Sequence, residues 1–219
     1  MSEKTSPAST QSERIRQAMR RRQEHKKQEL RQAILTAAGQ LFLEQGYDRF
    51  SMRKVAERIG YSPTTLYIYF RDKDDLLFTI VDEGFEQFGQ QLVAAARNTT
   101  ADPWERLLAL GRAYVRFGVH NPMYYELMFM QRSDFLMHAP QGESTPRIQA
   151  FNILQEAVQQ ALDAGILHPG SAQAYSDLLW ALMHGLVSLS ISVPLFDATR
   201  LQQALDEAPR LIERGLRRR

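Results

Sequence analysis

Two amphipathic helical patterns that stop and restart within three residues confine the stretch Ser51 to Lys73, SMRKVAERIGYSPTTLYIYFRDK, to one local geometry. Met52, Val55, Ala56 and Ile59 recur at the spacing of a single helix face, beneath a face carrying Arg53, Lys54, Glu57 and Arg58. Ser51 is placed to cap the start of that helix. Gly60 supplies the left-handed backbone that ends it, and Ser62 followed by Pro63 opens the next helix at once. In the second helix Leu66 and Phe70 form an i, i+4 apolar pair that faces inward, which turns Thr64, Thr65, Ile68 and Tyr69 outward. The order of signals is that of a helix-turn-helix. Its outer surface of hydroxyls, methyls and rings, with no acidic residue, suits the edges of DNA bases.

The preceding residues complete the unit. Leu30, Ala33, Ile34, Ala37, Ala38, Leu41 and Phe42 repeat at helical spacing and predict a helix over 28–45, ending near Gly46 and Tyr47, so that three helices share one small core. The ordered run AAGQLFLEQGYDRFSMRKVAERIGYSPTTLYIYFRDKDDLL closely resembles the N-terminal DNA-binding domain of the TetR family of bacterial transcriptional regulators, over about residues 28–77. The resemblance rests on the Ala-Leu-Phe-Gly-Tyr frame of the first helix, on Val55-Ala56, on Thr65-Leu66-Tyr67 and Tyr69-Phe70, and on Lys73 opening a fourth helix. It implies that Ser62, Pro63, Thr64, Thr65, Ile68 and Tyr69 touch bases or backbone, that Ser51 and Arg53 belong to the DNA-facing set, and that Tyr67 and Lys73 clamp phosphates. Lys73 would do so at a helix N-terminus, where free N–H groups also favour an anion.

Charge orients the chain. The net charge of +2 hides 15 Lys and Arg against 8 Asp and Glu over residues 1–73, and 7 against 16 over residues 74–209. Phosphate contacts supply much of DNA affinity, so the basic end is expected to meet DNA. Residues 1–27 form a basic extension: Ser, Thr and Pro dominate residues 1–12, and seven Lys or Arg fall between Arg14 and Lys27 in a helix-compatible run. That run reads either as a solvated continuation of the first helix or as an arm that reaches phosphates. No cysteine is present, which excludes disulfides, thiol nucleophiles and thiolate metal sites. The first residues lack the apolar core of a secretion signal, so a cytoplasmic protein is expected.

Beyond Lys73 the helix starts are written in capping residues and prolines: Asp72, Asp102-Pro103, Asn121-Pro122, Thr145-Pro146, Ser171 and Asp197. An all-α fold of about nine helices follows, near 28–45, 51–58, 62–69, 73–97, 103–119, 122–132, 146–164, 172–193 and 198–215. The expected domains are a helix-turn-helix domain over 28–72 and a larger helical ligand-binding and dimerisation domain over 73–219. Leu178 to Phe196 carries no formal charge across 19 residues. A histidine, three serines, a proline and flanking aspartates argue against a membrane span, and a helix apolar nearly all round must be covered by other protein. The family resemblance implies what covers it, a homodimer through roughly residues 172–215, and Trp180, His184 and Gly185 resemble the signature of one C-terminal subclass.

The middle of the chain is rich in bulky adaptable side chains: Trp104, Tyr114, Phe117, Met123, Tyr124, Met128, Phe129, Phe135 and Met137. Such a set reads either as plain core or as the lining of an apolar cavity. Trp104, Tyr114, Phe117, Tyr124, Met128, Phe129, Phe135, Trp180 and His184 are the candidate ligand-binding residues, and the nearest ionisable groups are Arg112, Arg116, His120, Glu126, Arg132 and His138. The resemblance implies a dimer that reads a pseudo-palindromic double-stranded operator through two recognition helices about 34 Å apart, and that an apolar small molecule releases. An enzyme is poorly supported. Ser51 to Lys54 spells S-x-x-K without companion motifs, Gly84 to Gly89 lacks the following Lys-Ser/Thr of a phosphate loop, and the five histidines have no ligand spacing, so no cofactor and no metal are expected.

Overall fold

The computed structural model describes residues 11–97, 102–130 and 146–218. Phe135, Met137, His138, Arg132 and Thr145 lie outside them. Among the described residues there are nine α-helices and no β-strand: α1 (Gln11–Gln45), α2 (Met52–Ile59), α3 (Pro63–Tyr67), α4 (Lys73–Arg97), α5 (Pro103–His120), α6 (Pro122–Tyr125), α7 (Pro146–Asp163), α8 (Ala172–Ser192) and α9 (Ala198–Leu216). The all-α reading and its count of helices hold. The described chain divides into two compact units, one up to Leu77 and one from Phe78.

In the first unit α1 begins 17 residues earlier than its apolar pattern predicts, because the charged run before Leu30 continues as helix. Residues 13–29 are solvent exposed throughout. The buried stripe of α1 is also shifted: Ile34, Leu35, Ala37, Ala38, Leu41 and Phe42 are buried, whereas Ala33 faces solvent. Burying Leu35 in place of the smaller Ala33 removes more apolar surface from water. Caps fix the rest. The Ser51 side chain accepts the Lys54 N–H at 3.4 Å, and Ser62 accepts the Thr65 N–H at 3.2 Å with Pro63 in the first turn of α3. Between them Gly60 adopts φ 73°, the left-handed conformation the sequence requires there. Leu66 and Phe70 are buried as a pair, although α3 closes at Tyr67 and Phe70 is held by a turn bond to the Leu66 carbonyl at 3.0 Å.

The second unit is built on α5, whose buried face runs from Trp104 through Leu107, Leu110, Ala113, Tyr114 and Phe117 to Gly118. Asp102 caps α5 through the Trp104 N–H at 2.9 Å. Asn121 does not cap α6; its amide instead donates back to the Phe117 carbonyl at 2.9 Å and closes α5. After Tyr125 the chain widens into a π-helical turn, Glu126–Met130, where an ordinary helix is predicted. Gly84 and Gly118 let neighbouring helices approach: a Cβ on Gly118 would lie 2.4 Å from the Val187 side chain, and one on Gly84 2.6 Å from Met128 Sδ. The loop after α7 and the end of α9 are pinned by the His168 N–H to the Leu216 carbonyl and the Arg218 N–H to the Ile166 carbonyl. No described helix is long and apolar enough to cross a membrane.

These contacts separate two glycines of similar sequence context. Gly118→Ala should destabilise the protein by about 1 to 3 kcal/mol, because Val187 is buried and stiff at its branched carbon. Gly89→Ala, where an added Cβ meets nothing within 4 Å, should stabilise α4 by up to about 1 kcal/mol. Urea unfolding midpoints of the two variants check the order; Gly118→Ala matching or exceeding the parent would refute the close approach of α5 and α8.

Candidate functional site

Most cations around the helix-turn-helix are held by their own unit. Arg58 forms a two-pronged pair with Glu44 at 2.9 and 2.7 Å. Lys54 Nζ donates to Gln45 Oε1 at 2.7 Å and to the Arg49 carbonyl at 2.8 Å, and Arg49 donates to the Gln45 carbonyl. Arg71 pairs with Asp75, which also accepts the Arg71 backbone N–H. That carboxyl is held below its ordinary range by the Arg71 side chain first and the backbone bond second. The Asp72 carboxylate caps α4 by accepting the Asp74 and Asp75 N–H groups at 3.0 and 2.8 Å. Arg53 is exposed and makes no hydrogen bond or ion pair with any described residue.

Around Arg53 the surface is the one expected from the sequence. Thr64, Tyr67 and Ile68 are exposed, Ile68 to 74%, and Tyr69 and Thr65 are partly covered. The hydroxyls of Ser62 and Thr65 lie 2.9 Å apart and bond each other, and that of Ser51 caps α2, so these three act first on the local backbone. Lys73 sits at the start of α4 with Nζ 3.7 Å from the centre of the Tyr47 ring and donates to the Tyr47 carbonyl at 3.3 Å. Tyr47 is itself fixed by its hydroxyl donating to Asp74 at 2.6 Å, which pushes its pKa up to about 12. Sequence reasoning passed over Tyr61, which is half exposed in the turn between α2 and α3; an aromatic beside the turn glycine was the available signal.

The second unit contains a cavity of about 480 Å³. Of the sequence candidates it is lined by Tyr114, Phe129 and Trp180, joined by Phe85, Phe88 and Leu92 of α4, Ile148 and Phe151 of α7 and Met183 of α8. Phe117 is fully buried against Phe88 at a centroid distance of 5.1 Å, and Tyr124 and Met128 are spent on packing over Gly84. Trp104 lines a different cavity, and Phe135 is outside the described residues. The ionisable residues of the lining are not those nearest in sequence but Arg147 and Asp177. Arg147 lies 3.7 Å from Asp82, whose carboxyl burial raises and Arg147 partly offsets. The sequence signal for Phe85, Phe88 and Leu92 was their i, i+3, i+7 spacing, which shows a buried face without showing what it faces.

A polar chain runs along one wall. The Trp180 indole N–H donates to the Tyr114 hydroxyl at 3.1 Å, Tyr114 and Tyr125 hydroxyls are 3.0 Å apart, and Tyr125 meets His184 Nδ1 at 2.7 Å. An indole only donates, so Tyr114 accepts from Trp180; in the tautomer whose proton is on Nε2, Tyr125 donates to Nδ1 and Tyr114 donates to Tyr125. Burial lowers the His184 pKa, raises that of Tyr114 to about 12 and raises that of Tyr125 further, so all three stay neutral at neutral pH. His184 reaches the cavity lining through ring contacts with Phe129 and Trp180, at centroid distances of 6.0 and 6.1 Å. Among the described residues no group of His, Asp or Glu is placed to hold a metal ion.

Residues 34–80 match the family described as bacterial regulatory proteins, tetR family, and residues 107–214 match the tetracyclin repressor-like C-terminal domain. A Rhodococcus sp. RHA1 protein of unknown function is 26% identical, with a TM-score of 0.67 over 86% of this chain and 95% of that one. A TetR family transcription regulator from Marinobacter aquaeolei VT8 is 20% identical, with a TM-score of 0.66 over 90% and 100%. The fatty acid degradation regulator FadR from Bacillus halodurans is 16% identical, with a TM-score of 0.68 over 81% and 93%.

The direction of the His184 shift sets a pH dependence. Because its folded pKa lies below the ordinary value of about 6.5, the unfolded chain takes up the proton first as pH falls. The stability it contributes is complete above that value and is lost as pH falls toward the folded pKa. His184→Gln keeps an acceptor for Tyr125 and removes the titration. Urea stability measured between about pH 7.5 and 5.5 should therefore fall less in this variant than in the parent; parallel curves would refute the neutral buried imidazole.

Proposed function

Because this chain belongs to the TetR family of bacterial regulatory proteins, we propose that it is a transcriptional repressor that binds a pseudo-palindromic operator as a homodimer and is released by an apolar small molecule. The observation that carries the DNA-binding part is Arg53, the one cation between Gly46 and Leu77 without a hydrogen bond or ion pair to a described residue, beside exposed Thr64, Tyr67 and Ile68. An unengaged guanidinium can address the O6 and N7 of guanine with two bonds, and the methyls of threonine and isoleucine suit the thymine methyl. Tyr67 and Lys73 then grip phosphates, with Lys73 braced on Tyr47 at the positive end of α4. Ser51, Ser62, Pro63 and Thr65 hold the two helices at the angle this requires, and the partly covered Tyr69 adds a further contact to bases or backbone. The basic half of α1 adds positive charge to the same unit.

Two further features support the rest of the reading. The outward face of α8 carries Ala174, Leu178, Ala181, Leu182, Gly185 and Leu189 at helical spacing, with Leu178 exposed to 62% and an added Cβ on Gly185 meeting nothing within 4 Å. An uncovered apolar face with small residues along it fits a second copy of the same helix, and α9 adds exposed Leu211. Two-fold pairing gives two recognition helices and hence a two-fold operator. The cavity lined by Tyr114, Phe129 and Trp180 supplies the effector site, its walls almost wholly apolar. Helix α4 contributes Lys73 to the first unit and Phe85, Phe88 and Leu92 to the cavity of the second, so an effector that prefers one setting of α4 shifts the balance between DNA-binding states.

Arg53→Ala should cost about 1 to 3 kcal/mol on the cognate operator and much less on random DNA at the same salt concentration. Gel-shift titrations against both check it. Equal losses would mean that Arg53 grips phosphate only and that this face does not read sequence.

A further inference from the structure

The cavity of about 480 Å³ is not alone in the second unit. A second cavity, of about 320 Å³, lies between α5, α8 and α9, and the two share two lining residues, Leu154 of α7 and Met183 of α8. A residue that lines both is the wall between them. Leu154 is buried and branched, a fixed part of that wall. Met183 is only partly buried, unbranched, and lies over Gly111 of α5, where its Sδ would be 3.4 Å from an added Cβ. A thioether chain with three rotatable bonds moves at little cost, and Gly111 offers no side chain to stop it.

We propose that the two cavities are chambers of one binding site, that Met183 is the movable partition, and that the ligand is an unbranched long-chain acid whose tail passes Met183 into the second chamber. This rests on the reading of the first cavity as the effector site. An opening made by one swinging side chain has the width of a methylene chain, not of a ring system. The second chamber is lined by Trp104, Leu107, Leu179, Leu186 and Ile212, which suit a saturated tail. The acid group stays in the first chamber, where the partly buried Arg147, 3.7 Å from Asp82, is the cation of a lining that also carries Asp177; the cation of the second chamber, Arg112, is exposed and its field is screened. A compact aromatic ligand would fill the first chamber and leave Met183 in place.

The chain has two tryptophans, one in each chamber: Trp180 in the first and Trp104 in the second. Full-length Trp104→Phe and Trp180→Phe proteins each keep one fluorescent reporter, and a bromine atom quenches indole only at contact range. Stearate brominated beside the carboxylate should quench Trp180, stearate brominated at its terminal methyl should quench Trp104, and terminally brominated octanoate, too short to pass Met183, should quench Trp180 alone. Met183→Phe, which puts a rigid ring in the partition, should abolish the quenching of Trp104 and weaken stearate binding on the order of tenfold more than octanoate binding. Terminally brominated stearate that quenches Trp180 and spares Trp104 in otherwise unaltered protein overturns the two-chamber proposal while leaving the effector site standing. Loss of quenching at both reporters with every probe overturns the effector site as well. The chain-length comparison needs no change at Met183, so the proposal stays testable should that variant fail to fold.

Discussion

The hydroxyl of Tyr114 is buried in the middle of α5 and must be bonded, since a buried hydroxyl without a partner costs roughly 1 to 3 kcal/mol. The chain of bonds that runs through it joins three separate stretches of the second unit. Trp180 and His184 belong to α8, Tyr125 closes α6 where the backbone passes into the π-helical turn, and Tyr114 itself belongs to α5. One chain of three bonds therefore fixes the register of α8 against α5 and holds the α6 corner to both. Satisfying it also places Trp180 and Phe129 around an open space instead of in it, because Phe129 packs on Tyr125 at 4.8 Å and cannot swing across. The cavity is what remains when these rings are committed to one another.

The first unit obeys a different economy, in which short-range bonds do nearly all the positioning. α2 and α3 are eight and five residues long, too short to persist alone, and their ends are closed by Ser51, Gly60 and Ser62. Neighbouring cations are drawn into pairs that brace the helices: Arg58 with Glu44, Lys54 with Gln45, Arg71 with Asp75. These exposed pairs add little stability individually. Their effect is to leave Arg53 and the methyl-bearing and aromatic side chains of α3 as the unspent chemistry on that surface.

Helix starts were legible because a cap or a proline acts on its own first turn, so Pro63, Pro103, Pro122 and Pro146 each mark a helix as read. The inward pair Leu66 and Phe70 was legible for the same local reason. The early start of α1 was not, since a charged run with no apolar stripe has the composition of a solvated tail and is carried as helix by the folded part it extends. Nor was the exchange of Ala33 for Leu35, which depends on what packs across from it. The cavity divided the sequence candidates most sharply. Tyr114, Phe129 and Trp180 line it, while Phe117 is consumed against Phe88 and Tyr124 and Met128 over Gly84. Bulk and aromaticity mark both roles alike, and residues from α4, α7 and α8 meet only in three dimensions.

Selection of binding sites from a random DNA library by the full-length protein, followed by footprinting of the enriched sequence, tests the proposed reading of an operator most directly. The account predicts enrichment of a pseudo-palindrome, protected over two half-sites whose centres lie about one helical turn, or 34 Å, apart. A pool that stays random after repeated rounds, or a single half-site bound by a monomer, would contradict it.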